Sequence, residues 1–215
     1  MQKVLLTGFE PFDGDTVNPS WEIARALDGE SLGEVRIVAR QLPCVFGRAP
    51  EALAGALAQE PFALVVALGM AGTRTGISVE RVAININDAR IPDNAGQQPI
   101  DTPVVPGGPA AYFSTLPIKR MVAALQAKGI AASVSQTAGT FVCNHVFYAL
   151  AHQLAVSHPA TRGGFIHVPV LPQQLARHPG SQALPLATQV TAIRAAIAAA
   201  LDSTEDARLG GGSLD

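Results

Sequence analysis

The stretch Ala63-Leu64-Val65-Val66-Ala67-Leu68, closed by Gly69, decides the fold. Six consecutive apolar residues with no polar alternation read as a strand buried on both faces, the signature of the centre of a mainly parallel sheet. Upstream, Val35 to Val38 reads as a strand and about Gly47 to Gln59 as a weaker helix. Before them, Val4-Leu5-Leu6 reads as a buried first strand, and Asn18-Pro19 supplies an N-cap and an N1 proline for a helix to about Leu27. Downstream, Ile77 to Asp88 alternates loosely, with Val79, Val82, Ile84 and Ile86, and predicts extended structure or a hairpin arm. Residues 89–108, rich in Pro, Gly, Asn and Asp, form a long loop of the kind that carries function or assembly.

In the second half, Ile118, Met121, Val122 and Leu125 fall on one helical face, opened by Ser114, Thr115 and Pro117 and closed by Gly129. A strand follows at Ala132–Ser135. The helix after Cys143 has its apolar stripe at Val146, Phe147, Leu150 and Leu154, the strand Gly164–Val168 is stopped by Pro169, and the last helix carries Val190, Ile193, Ile197 and Leu201. Strands alternating with helices predict an α/β domain with helices on both faces of the sheet. A chain of 215 residues fits one such domain over residues 1–201, with the polar, glycine-rich 202–215 expected to fray.

Composition narrows the function. A net charge of −2 with 15% charged residues favours neither a nucleic-acid nor an anionic-membrane partner. The apolar run from Phe62 to Ala71 is too short to span a bilayer, and the N-terminus lacks a secretory apolar region. Two cysteines, Cys44 and Cys143, are too few for a disulfide framework and have no zinc spacing, so reduced thiols, a cytoplasmic location and no metal or cofactor are expected.

Cys143, placed near a helix start, is where unpaired N–H groups and the helix dipole lower a thiol pKa. Buried cysteine is equally a packing residue. His167 ends a strand, on the sheet edge where α/β proteins bind ligands, and an imidazole there serves a thiol as base and then acid. His145, His152, His158 and His178 read as helix-surface or loop residues. A carboxylate on the second imidazole nitrogen would complete such a site, and Glu80, Asp88, Asp93 and Asp101 compete for that place. Phe9 and Phe12, in a turn after the first strand, suit the walls of an apolar pocket, whereas no glycine spacing there fits a phosphate loop.

Four stretches then carry a family resemblance: Leu6-Thr7-Gly8-Phe9-Glu10-Pro11-Phe12 with Asn18-Pro19; Glu80-Arg81-Val82-Ala83 leading to Asp88-Ala89-Arg90-Ile91-Pro92-Asp93-Asn94; Ala138 to Asn144; and Gly164 to Pro169. From about Lys3 to Leu201 the chain resembles the pyroglutamyl-peptidase I (pyrrolidone-carboxylate peptidase) family of cytosolic cysteine peptidases. The resemblance implies a three-layer α/β/α sandwich with a mostly parallel, mixed sheet. It also implies removal of N-terminal pyroglutamate from peptides through a thioacyl-enzyme, and assembly as dimers or tetramers. Carried over by residue, Cys143 matches the nucleophile, His167 the base and acid, Glu80 the residue orienting it, and Arg90 an oxyanion donor beside the Cys143 N–H. Phe9, Phe12, Ile91, Phe141 and Val142 match positions around the lactam ring, and Asn18 a polar position near it. A neutral lactam calls for apolar walls and a few hydrogen bonds, for which the backbone near Met70 and Ala71 is a candidate source. Rival readings are a thiol amidase for another small amide, a silent lactam- or peptide-binding module, and a nucleoside-binding protein of similar architecture.

Overall fold

The computed structural model describes residues 2–212. In chain order it contains β1 (Gln2–Phe9), α1 (Pro19–Leu27), β2 (Ser31–Leu32), β3 (Val35–Leu42), α2 (Arg48–Gln59), β4 (Leu64–Met70), β5 (Ile77–Glu80), β6 (Val82–Ile84), β7 (Ala111–Phe113), α3 (Ile118–Gln126), β8 (Ala132–Ser135), α4 (Val142–Ser157), β9 (Arg162–Val168) and α5 (Leu186–Asp202). The main sheet has the order β2-β3-β1-β4-β9-β5-β8. β3, β1, β4 and β9 run parallel, while β5 pairs antiparallel to β9 and parallel to β8, so the sheet is mixed. β6 and β7 form a separate hairpin-like pair.

The run that opened the reading is β4, and it lies fourth of seven strands. Its side chains alternate between two cores. Leu64, Val66 and Leu68 join Ile166 and Val168 under α1, α3 and α5, while Val65 and Ala67 join Phe165 under α2 and α4. Each strand therefore needs apolar residues at both parities, and periodicity of two disappears from the sequence. The three-layer sandwich is the result.

Local chemistry fixes how β1 meets α1. A Cβ on Gly8 would lie 2.4 Å from the backbone of Ser20, so only glycine lets the strand pass this close to the helix start. There Asn18 caps α1, its Oδ1 accepting from the Ser20 N–H at 3.1 Å and the Ser20 hydroxyl at 2.8 Å, and Ser20 Oγ in turn accepts from the Phe9 N–H. The start of α3 differs from the sequence reading. Neither Ser114 nor Thr115 caps it; the Asp206 carboxylate does, accepting from the Lys119 and Arg120 N–H groups at 2.9 Å. Where fraying was expected, residues 203–212 thus run back over α3, and Gly211 O accepts from Arg81 and Gln136. Ser213–Asp215 lie outside the described residues. β4 also continues past Gly69 to Met70, because Gly69 keeps its place in the ladder opposite His167.

Candidate active site

The site lies beyond the carboxyl ends of β1 and β4. From β1 the sheet grows toward β3 and from β4 toward β9, so loops leaving the two strands diverge and open a crevice between them. A cavity of about 280 Å³ fills it. Phe9 and Phe12 come from the end of β1 and the turn after it, Met70 from the end of β4, and Phe141 and Cys143 from the start of α4; Asn18 and Arg90 also line the cavity. Phe141 packs against Phe12 at 5.3 Å and edge-on to Phe46 at 5.2 Å between ring centroids. Phe9, Phe12, Met70 and Phe141 give the cavity an apolar, largely aromatic side.

Cys143 is the second residue of α4, half-buried, in the first turn where backbone N–H groups lack partners within the helix. A Cβ on Gly69 would stand 2.8 Å from the Cys143 Sγ and 2.7 Å from the Phe165 ring, so the sulfur rests on the bare backbone of β4. Gly69 pairs with His167 across the β4–β9 ladder. Adjacent strands lie about 4.8 Å apart, which brings the sulfur to the imidazole's neighbourhood. His167 is buried, and its Nδ1 is 2.7 Å from Oε1 of Glu80, the last residue of β5, which is fully buried. A carboxylate only accepts, so Nδ1 carries the proton and Nε2 keeps its lone pair.

Of the four competing carboxylates, Glu80 alone meets His167. Asp93 instead accepts from the N–H groups of Phe46, Ala95 and Gln97, while Asp88 and Asp101 are exposed. Asp93 holds the loop bearing Arg90 against residues 44–46. That loop is also tied to the approach to Cys143, since the Asp88 N–H donates to Thr140 O and the Thr140 hydroxyl to Asp88 O. Arg90 is exposed beside the cavity and meets no carboxylate among the described residues.

The thiol does not behave as its helix position predicts. Burial, with the neighbouring Cys44 and Glu80, pushes the Cys143 thiol up from its ordinary value. Burial thus disfavours the thiolate, and a sulfur in this place calls for a base to take its proton. Cys44 lies in the same cavity and is pushed up to about 12 by burial, Glu10 and Asp93.

Two expected pocket residues lie elsewhere. Val142 is fully buried in the core beneath α4, and Ile91 is half-buried without lining the cavity. The sequence reading missed Asp13, Asp15, Gly72 and His178, which line it. Asp15 accepts from His178 Nε2 at 2.8 Å and Gln174 Nε2 at 2.9 Å, a contact between segments 163 residues apart that no local spacing announces. His145 is likewise no surface residue: it is buried in the protein, bonded at both nitrogens. Asn144 clamps the end of β6 and the residues after it, its Oδ1 accepting from the Ile84 N–H and its Nδ2 donating to Ile84 O and Ile86 O. Among the described residues no three His, Cys, Asp or Glu side chains converge to hold a metal ion, and no helix is long and apolar enough to cross a membrane.

Residues 2–203 match the family described as pyroglutamyl peptidase. The chain belongs to that family. It is 62% identical to a pyrrolidone-carboxylate peptidase of Cupriavidus taiwanensis over the full length of both, and 60% identical to one of Klebsiella pneumoniae over 99% of both. Its fold superposes on the pyroglutamyl peptidase I of Bacillus amyloliquefaciens with a TM-score of 0.95, at 46% identity, covering 97% of this chain and 99% of that one. A variant pyrrolidone carboxyl peptidase from Pyrococcus furiosus matches with a TM-score of 0.90, at 42% identity, over 94% of this chain and 99% of its own. Relatives this similar over whole chains leave no room for the nucleoside-binding reading.

Proposed function

We propose that this chain removes an N-terminal pyroglutamyl residue from peptides, with Cys143 as nucleophile, His167 as base and acid, and Glu80 as the residue that orients the imidazole. The observation that carries it is the buried Glu80–His167 bond ending beside a cysteine that lines a cavity with an aromatic side. Nε2 of His167 takes the thiol proton as Sγ attacks the pyroglutamyl carbonyl carbon. The Cys143 N–H, free at the helix start, and Arg90 stabilise the oxyanion. The imidazolium then protonates the leaving amine, and water, deprotonated by the same imidazole, hydrolyses the thioacyl-enzyme. Glu80 stabilises the imidazolium between those steps. Phe9, Phe12, Phe141 and Met70 suit a neutral lactam, which has no ammonium to be paired with a carboxylate.

The test is release of a chromogenic amine from its pyroglutamyl derivative, with the alanyl derivative as control. Turnover of the pyroglutamyl compound alone, lost in Cys143→Ser, is the expected result. Equal turnover of both compounds would replace the substrate assignment with a general thiol amidase. Binding without turnover in the unaltered protein would leave a lactam-binding module.

The two unpaired thiols support a reducing, cytoplasmic setting for the chain. Assembly as a dimer or tetramer is part of the same reading, supported by Phe113 and Val156, which are 72% and 67% exposed. Sedimentation velocity checks it: a monomer at micromolar concentration would end that reading.

A further inference from the structure

One charged group beside the base has no part in the steps above. Arg74 lies in the connection between β4 and β5, its N–H donating to Ala71 O at 3.0 Å. Its Nη2 is 3.6 Å from Glu80 Oε1, the same oxygen that holds His167. Nη2 also donates to Ser135 Oγ at 3.0 Å and to Thr137 O at 2.9 Å, while Ser135 Oγ donates to Thr137 O at 3.1 Å. The guanidinium therefore enters from the surface, its side chain 31% exposed, and is fixed at its charged end by the last residue of β8 and the turn after it.

An ion pair with an exposed carboxylate would mean little at this distance. Glu80 is different, because it has no solvent exposure and its Oε2 has no hydrogen-bond partner among the described residues. A buried, half-satisfied carboxylate is costly to keep ionised unless a cation lies nearby. The charged and titratable groups facing it are His167 from β9, Cys143 from the start of α4, and Arg74. Arg81, its neighbour in sequence, is turned to Gly211 O instead.

We propose that Arg74 is a positioning residue for the reaction, holding Glu80 ionised and so setting the pH at which His167 serves as base. The inference rests on the reading of Glu80, Cys143 and His167 given above. A positive charge at this place opposes protonation of both Glu80 and His167. Its removal therefore moves the uptake of a proton by the pair to higher pH.

The experiment is the pH profile of kcat/KM on the pyroglutamyl chromogen for Arg74→Gln and Arg74→Lys, with His167→Ala alongside. Arg74→Gln is expected to move the acidic limb up by about one pH unit, the low end for an opposite charge within about 4–6 Å of a buried group. Arg74→Lys keeps the charge and is expected to keep the limb, even where loss of the Ser135 and Thr137 bonds lowers the plateau. An unmoved limb in Arg74→Gln, or the same shift in both variants, overturns the proposal. Should Arg74→Gln fail to fold, Ser135→Ala loosens the guanidinium and is expected to give a smaller upward shift, and no shift there overturns it equally. Full turnover by His167→Ala would instead strike the underlying triad, a result distinguishable from failure of Arg74.

Discussion

His145 and His167 lie in two regions of one core and differ in almost nothing that a burial map shows. Both are buried, and both engage an oxygen through Nδ1, His145 with Asn87 Oδ1 at 2.8 Å and His167 with Glu80 Oε1 at 2.7 Å. They part in two respects. The partner of His145 is a neutral amide, and its Nε2 is already occupied, accepting from the Gly47 N–H at 3.1 Å. The partner of His167 is a carboxylate, and its Nε2 accepts from no described group. A histidine saturated by neutral partners is a structural bracket joining α4 to the start of α2. One with a charged partner on one nitrogen and an open lone pair on the other is a base.

The sharpest way to break this contrast is to remove each ring. His167→Ala is expected to lower kcat by about 10³-fold or more, within the range for loss of a positioned acid–base. It should also slow alkylation of Cys143 by iodoacetamide, since the half-buried thiol has lost its proton acceptor. His145→Gln is expected to leave kcat within a few fold while lowering the unfolding midpoint in urea. Similar losses of turnover in both variants would erase the distinction. Glu80→Gln probes its electrostatic half: the amide still accepts from Nδ1 but no longer stabilises an imidazolium. A fall of about 10²-fold in kcat is expected, milder than loss of Cys143, and a wild-type rate would mean that the charge is immaterial.

Gly69→Ala tests the geometry rather than the charges. The new Cβ meets Cys143 Sγ at 2.8 Å and Phe165 at 2.7 Å, so sulfur, ring or strand must shift. A displacement approaching 1 Å costs up to about 10²-fold, and a fall of about tenfold in kcat with little change in KM is expected. Unchanged kinetics would show that the sulfur does not rest where β4 holds it.

This glycine also marks where the sequence stopped being legible. The apolar run before it announced β4 because burial on both faces requires apolar residues at every position. Gly69 itself read as a strand end, since nothing local shows that the helix beginning at Val142 lays a thiol on it. Glu80 could not be told from Asp88, Asp93 and Asp101 by spacing, because antiparallel pairing of β5 with β9 brings it to His167. Cys143 showed its helix start, yet the sign of its pKa shift depends on burial, a property of the folded chain. Asp206 escaped for the same reason: a cap supplied from 86 residues downstream leaves no trace at the start of α3.

The last test acts on stability rather than turnover, and separates the two histidines by pH. Burial lowers His145 to about 4, from about 6.5 in the unfolded chain. Above pH 6.5 the ring is neutral in both states and contributes no pH dependence. As the pH falls below 6.5 the unfolded chain takes up a proton that the folded protein resists, so stability falls until about pH 4, where the folded ring also protonates. At 1.36 kcal/mol per pH unit the loss accumulates to about 3 kcal/mol over that window. Urea unfolding at pH 7.5 and pH 4.5 measures it, with His145→Gln as the reference in which carboxylates titrate but this ring does not. The variant is expected to lose less stability than the unaltered protein over the same interval. Equal losses would mean that the His145 site tolerates a proton and that its neutral bracket is not what sets it apart from His167.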